Sequence, residues 1–172
     1  MRRLSPLTLM LLAACAAEPP PRSDRPAPAA PSQARIAGAV EATVPEPPAA
    51  VIARADAVLR QRGFTVTGIN SPGRQVEARG PGTSDAAWAT CFPITVRDPF
   101  AEAFRSRTAE ASDVQSTVTV LAAVAPDNGT RVVVRARHIG TYLNSFTNTP
   151  EEAACRSTGV LEQSVLDAIV QG

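Results

Sequence analysis

The sequence predicts an α+β domain over residues 49–172: an antiparallel sheet of about five strands with an N-terminal and a C-terminal helix packed on one face. Three observations predict it. Apolar residues recur at helical spacing just after Pro48, apolar and polar residues alternate with period two through the middle of the chain, and helical spacing returns near the end.

Val51, Ile52, Ala55, Val58 and Leu59 share one helical face, with Arg54, Asp56, Arg60 and Gln61 largely elsewhere, which gives a helix over 49–62. Gly63 supplies a left-handed stop, and Phe64 just beyond can fold back on Leu59. Phe64, Val66 and Gly68 then alternate with Thr65 and Thr67, and Asn70-Ser71-Pro72-Gly73 places Pro and Gly as a type II turn requires. The return strand turns Val76 and Ala78 inward and Gln75, Glu77 and Arg79 outward, and another strand is expected near Trp88 to Arg97. The plainest hairpin runs from Val114 to Val124 and back from Arg131 to Ile139 through Pro126-Asp127-Asn128-Gly129. Val118, Val120, Val124, Val132, Val134 and Ala136 take its covered face, leaving Thr117, Thr119, Arg131, Arg135 and Arg137 on the other. Thr149-Pro150-Glu151-Glu152 has the spacing of a capping box, so a closing helix is expected from there through Ala154, Thr158, Leu161, Val165 and Ala168, interrupted near Gly159.

Ahead of this domain the chain opens with Met1-Arg2-Arg3, an apolar run from Leu4 to Leu12 broken by Ser5, Pro6 and Thr8, and then small residues. These are the three parts of a secretory signal over residues 1–14. The run is too short to cross a bilayer, which takes about 20 apolar residues. Leu12-Ala13-Ala14-Cys15 resembles the lipobox of bacterial lipoproteins, an apolar residue and two small ones before the lipid-bearing cysteine. The resemblance implies cleavage before Cys15, a diacylglycerol thioether and an acylated amine on it, and, with Ala16 following, sorting to the outer membrane with the domain on its periplasmic face. The alternative is an ordinary signal peptide with Cys15 incidental. Residues 15–48 hold Pro19-Pro20-Pro21, Pro26, Pro28, Pro31 and Pro45-Glu46-Pro47-Pro48, a composition that favours extended chain over a packed core. They are expected to form a tether, the short apolar stretch from Ile36 to Val44 included.

Removal of the signal takes Arg2 and Arg3 from 17 basic residues and leaves 15 against 16 acids, a net charge of −1 that gives no electrostatic case for nucleic acid. There is no lysine, which excludes Schiff-base chemistry. With Cys15 assigned to lipid, Cys91 and Cys155 remain, and in an oxidising compartment such a pair forms a disulfide. A zinc site would need more ligands than these two and His138 supply. The bridge would tie the third strand to the start of the last helix and stabilise the fold by about 4 kcal/mol in the chain-entropy picture.

No catalytic motif or cofactor fingerprint occurs, and no metal-ligand spacing. His138 falls by parity on the covered face, where a satisfied histidine is the expected reading. Glu151 and Glu152 are taken up by helix capping, and Glu102, Glu110 and Asp113 sit in a long loop from Asp98 to Asp113. In that loop Phe100 and Phe104 are four residues apart, so one helical turn would present both rings, either to the core edge or to a partner. The arginines Arg131, Arg135 and Arg137 form a second candidate contact, for an acidic protein surface or a phosphate-bearing headgroup.

From Ala55-Asp56-Ala57-Val58-Leu59 through Gly63-Phe64-Thr65-Val66 to Arg74-Gln75-Val76-Glu77-Ala78-Arg79 the chain resembles small envelope lipoproteins with a helix-grip or BamC-like domain. The resemblance implies a non-enzymatic accessory or protein-interaction module held at the membrane by its lipid and meeting an envelope protein, with no cofactor. The competing expectation is a periplasmic binder of a small ligand, lipid or peptidoglycan fragment in the cleft between sheet and helices. Cys15→Ser is expected to abolish labelling by a palmitate analogue and release the protein from membranes; unchanged membrane fractionation would overturn the lipid-anchor reading.

Overall fold

In a computed structural model of the chain, the described residues are 34–36, 38–70, 74–81, 87–101 and 105–172. Cys15, the proposed signal, most of the tether and Phe104 lie outside them. The elements run β1 (Ala34–Ile36), β2 (Ala39–Val44), α1 (Pro48–Gln61), β3 (Thr65–Asn70), β4 (Gln75–Arg79), β5 (Ala89–Thr90), β6 (Ile94–Arg97), β7 (Ser106–Ala109), β8 (Ala111–Val124), β9 (Thr130–Asn144), β10 (Thr149–Ser157) and α2 (Val160–Gln171). The fold is α+β with an antiparallel sheet and two helices, but it has more strands than predicted and two of them precede the first helix.

The organising element is the β8–β9 hairpin. At its tip Ala125 N–H donates to Gly129 O at 2.8 Å, Asn128 takes a left-handed φ of 64°, and Gly129 N–H donates to Asp127 Oδ1 at 3.2 Å. Asparagine tolerates that backbone region, so the turn and with it the register are locally encoded. Val118 then faces Ala136, Val120 faces Val134 and Ala122 faces Val132. On the far side of β8, β4 continues the row with Ala78 against Val118 and Val76 against Val120.

The other edge of β9 is shared by two strands. Residues 130–134 pair with β2 and residues 138–144 with β10, giving the order β1-β2-β9-β8-β4-β3 with β10 beside β9 beyond β2. Both additions correct the sequence expectation. The stretch 39–44, expected as tether, is a strand whose Ala39, Val40, Ala42 and Val44 are buried. Its alternation is short and flanked by prolines, and the open edge of β9 joins it to the main sheet. Residues 149–157, expected as the start of the last helix, form β10, in which 152, 154 and 156 are exposed and 151, 153, 155 and 157 half-buried. Small residues there fit either period, and pairing with β9 outweighs the capping-box spacing. Glu151 accepts a hydrogen bond from Asn144 Nδ2 at 2.6 Å instead of capping a helix, while Glu152 is exposed. Gly159, at φ 82°, turns the chain into α2.

Helix α1 ends as its sequence requires: Phe64 N–H donates to Leu59 O and Gly63 N–H to Arg60 O, both at 3.0 Å, with Gly63 left-handed. A register shift between Val66 and Gly68 breaks the predicted alternation in β3, so Gly68 sits opposite outward-facing Glu77. The expected strand from Trp88 to Arg97 is split at Cys91-Phe92-Pro93, where proline removes a ladder donor. Its first piece, β5, pairs with β10, and its second, β6, forms a separate hairpin with β7, which lies in what was expected to be loop. Cys91 and Cys155 are joined across this region with Cα atoms 4.4 Å apart. The bridge therefore fixes Cys91, just after β5, to a strand, and not to a helix. Gly140 makes room for it, since a Cβ there would stand 2.9 Å from Cys155 Sγ and 3.0 Å from the Tyr142 ring.

One apolar cluster joins the inward side chains of β2, β4, β8 and β9 to Val51, Ile52, Ala55 and Leu59 of α1 and Leu161, Val165, Leu166 and Ile169 of α2. Arg54 pins the two helices: it donates to Ile169 O at 2.7 Å, near the negative end of α2, and pairs with Glu46 at 3.1 Å. Ala42, 1% exposed, tests whether β2 belongs to this core. Ala42→Asp buries an unpaired carboxylate and is expected to cost about 3 kcal/mol or more in urea denaturation; an unchanged midpoint would return residues 39–44 to the tether.

Candidate functional site

Among the described residues, Ser116, His138 and Glu162 are polar side chains fully enclosed by β8, β9 and α2. The hairpin register sets Ser116 on β8 opposite His138 on β9, and Ser116 Oγ lies 2.7 Å from His138 Nδ1. They are 2% and 1% exposed, and Glu162 in the first turn of α2 is 1% exposed. Ser157 Oγ donates to Glu162 Oε1 at 2.6 Å and accepts from Gly159 N–H at 3.0 Å, so the carboxylate is tied to the chain entering its own helix. His138 Nε2 and Glu162 Oε2 are buried without a hydrogen-bond partner. Removal from water holds the imidazole below its ordinary value of 6.5, with the Glu162 charge acting in the opposite direction. His138 is thus neutral at pH 7. Which of Ser116 and His138 donates depends on the ring tautomer.

Serine beside histidine is the pair that nucleophilic catalysis uses, but here both are enclosed and Ser116 Oγ offers a substrate no approach. The sequence places His138 on the covered face by parity and near a strand end; β9 runs on to Asn144, so the ring sits well inside the strand. Ser116 and Glu162 were legible only in part: the Asn128 turn sets residue 116 against residue 138, whereas nothing local brings residue 162 to them.

The opposite face of the sheet carries the arginines. Arg131, Arg135 and Arg137 are exposed and share it, but Val133 between the first two is buried at 7% exposure, which divides the expected stripe. Pairing across strands rebuilds it in another direction. Arg79 of β4, Thr117 of β8 and Arg137 of β9 form one row, and Glu77, Thr119 and Arg135 form the next. Arg156 lies one residue beyond the Cys155–His138 pair, on the same face as Arg137. None of these arginines forms an ion pair among the described residues, where the ion pairs are Arg54–Glu46 and Arg60–Asp56. Arg135 and Glu77 stand on either side of Thr119 with backbones two strand spacings, about 10 Å, apart, and they form no ion pair.

Phe100 stands at the tip of the β6–β7 hairpin and is 83% exposed, its N–H donating to Asp98 Oδ1. The hairpin is held at its base on the covered face: Val96 is buried, Tyr142 O–H donates to Phe92 O at 2.9 Å, and Arg107 lies 5.1 Å from the Phe146 ring. Phe92 at that base is 60% exposed. Glu110 and Asp113 line an open hollow of about 270 Å³ beside Cys91 and Pro93, and an open groove of about 460 Å³ runs along the outer side of α2 past Arg62, Gln163 and Asp167. Neither lies between sheet and helices. Among the described residues no group of three or more His, Cys, Asp or Glu is placed to hold a metal ion.

No protein-family model matches the chain, and no curated protein matches it.

The buried histidine gives a pH dependence with a definite sign. Its folded pKa is depressed below the unfolded 6.5, so the unfolded chain takes up the proton first as pH falls. Its contribution is complete above pH 6.5 and is lost progressively below it. The urea midpoint is expected to fall between about pH 7.5 and 5.5, and His138→Gln is expected to flatten that fall; an equal slope in both proteins would assign the effect to other groups.

Proposed function

We propose that this chain is a non-enzymatic, lipid-anchored envelope lipoprotein of the outer membrane's periplasmic face, whose domain acts as an accessory or protein-interaction module. The observation that carries the reading is Phe100: a phenyl ring 83% exposed at the end of a hairpin that is itself anchored. An aromatic displayed on a held scaffold loses little conformational freedom on binding, which is what interface anchors exploit. Phe92 at the hairpin base adds a second exposed ring. The groups that would serve catalysis, Ser116 and His138, are spent inside the core. The lipid anchor rests on the Leu12-Ala13-Ala14-Cys15 motif, and the cleft between sheet and helices, where a small ligand would bind, is filled by the apolar cluster.

A photo-crosslinking residue at position 100, used in cells and read by mass spectrometry, is expected to capture one envelope protein reproducibly. Phe100→Ala is expected to weaken the isolated complex by about 2 kcal/mol, roughly thirtyfold, with the fold intact. No crosslink above that of a residue placed at Arg60 on the solvent side of α1, or affinity unchanged in Phe100→Ala, would overturn the contact reading.

A further inference from the structure

The arginine rows have a different chemistry from the Phe100 hairpin. We infer that the uncovered sheet face, centred on Arg79, Arg135 and Arg137 with Arg156 at its margin, docks on the phosphate groups of an anionic membrane surface. The inference is independent of the protein-contact reading.

Four observations converge. The guanidiniums are exposed and without an ion-pair partner among the described residues, so their charge is available. They come from β4, β9 and β10, and pairing puts Arg79 and Arg137 on either side of Thr117 with Arg135 one row along beside Thr119. Residues two apart on a strand are separated by about 7 Å and alternate strands by about 10 Å, so the charges are spread over a flat area and can meet several phosphates at once. Arginine's planar fork binds phosphate oxygens through two N–H groups, and the threonine hydroxyls between add donors.

The same face is a poor protein contact. Interface centres are rich in aromatic residues and depleted in charge, whereas the rows Arg79–Thr117–Arg137 and Glu77–Thr119–Arg135 contain no aromatic or apolar residue, and in the next row, Leu121–Val133, the valine is already buried. A lipid surface needs no such anchor. The charge is local, since the chain as a whole is nearly neutral; Glu77 one row from Arg79, Glu41 opposite Val133 and Glu152 opposite Thr141 lie on the same face and moderate it without forming an ion pair among the described residues. Attraction of this kind is screened by salt within a Debye length of about 8 Å at physiological ionic strength.

The test uses the full chain carrying Cys15→Ser, so that no acyl chain contributes, in co-sedimentation with vesicles of equal parts phosphatidylglycerol and phosphatidylcholine or of phosphatidylcholine alone. The background that the leader contributes through Arg2, Arg3 and its apolar run is measured with a peptide of residues 1–33 on the same vesicles and subtracted. Binding to the anionic vesicles is expected to exceed that to the neutral ones and to fall as salt is raised. Each of Arg79→Gln, Arg135→Gln and Arg137→Gln is expected to weaken it about fivefold, and the triple variant about a hundredfold. Arg60→Gln, on α1, is expected to change nothing. Circular dichroism and the urea midpoint should be unaltered, since the three side chains are exposed. Equal partition to both vesicles, or a folded triple variant that binds as its parent does, would overturn the inference. Tighter binding to polyglutamate-coated beads than to anionic vesicles, lost in the triple variant, would also overturn it and assign the face to an acidic protein.

Discussion

The register of the β8–β9 hairpin is the constraint on which the molecule depends. Asn128 accepts a left-handed backbone that most residues resist, and the turn it closes decides which residue of β8 meets which of β9. A slip of one residue would exchange the two faces of the sheet. Valines would turn to water and arginines into the core. Because β4 extends the rows from β8, and β2 and β10 extend them from β9, the same few turn atoms position side chains on five strands.

On the covered side this register makes the layer to which the helices adhere, and it also sets Ser116 against His138. Burying an imidazole and a carboxylate among valines and leucines is costly unless they are satisfied, and here each retains one unpartnered atom. Ser116 and Ser157 satisfy the other atoms. The carboxylate that Ser157 holds thus fixes the entry to α2, while Ser116 holds the imidazole on β9. Arg54 does comparable work at the other end of α2, where it meets a terminal carbonyl from the side of α1. Both helices are consequently positioned by polar groups as well as by apolar area.

The two exposed features divide by chemistry. The β6–β7 hairpin, fastened near the disulfide and the end of β9, displays aromatic surface, while the uncovered sheet face displays separated positive charge among hydroxyls. A domain fixed to a bilayer by one segment gains orientation if a second surface also favours that bilayer, because the effective concentration of the membrane is already high. A charged face against the membrane would leave an aromatic hairpin elsewhere on the domain free for a protein. The two proposals are compatible without depending on each other.

The sequence by itself determined the elements whose signals are local: α1 with its glycine stop, the β3–β4 pair, the β8–β9 hairpin with its Asn-Gly turn, and Cys91 and Cys155 as partners. In each, the residues that interact are close in the chain, or, with Cys15 read as the lipid-bearing residue, the cysteine arithmetic leaves one pairing. Only the tertiary structure decided β2 and β10, because a short alternating stretch becomes a strand when an open edge is offered to it, and that edge belongs to β9, far away in sequence. Helical spacing and a capping-box pattern at residues 149–152 were real local preferences, overridden by hydrogen bonds that no local window contains. The sites divide in the same way. Parity alone exposed Arg131, Arg135 and Arg137, but the grouping of Arg137 with Arg79 and Arg156, like that of His138 with Glu162, arises from strand order and helix docking. Long-range pairing chooses among local preferences of similar strength, since each ladder bond contributes about as much as the preferences it overrules.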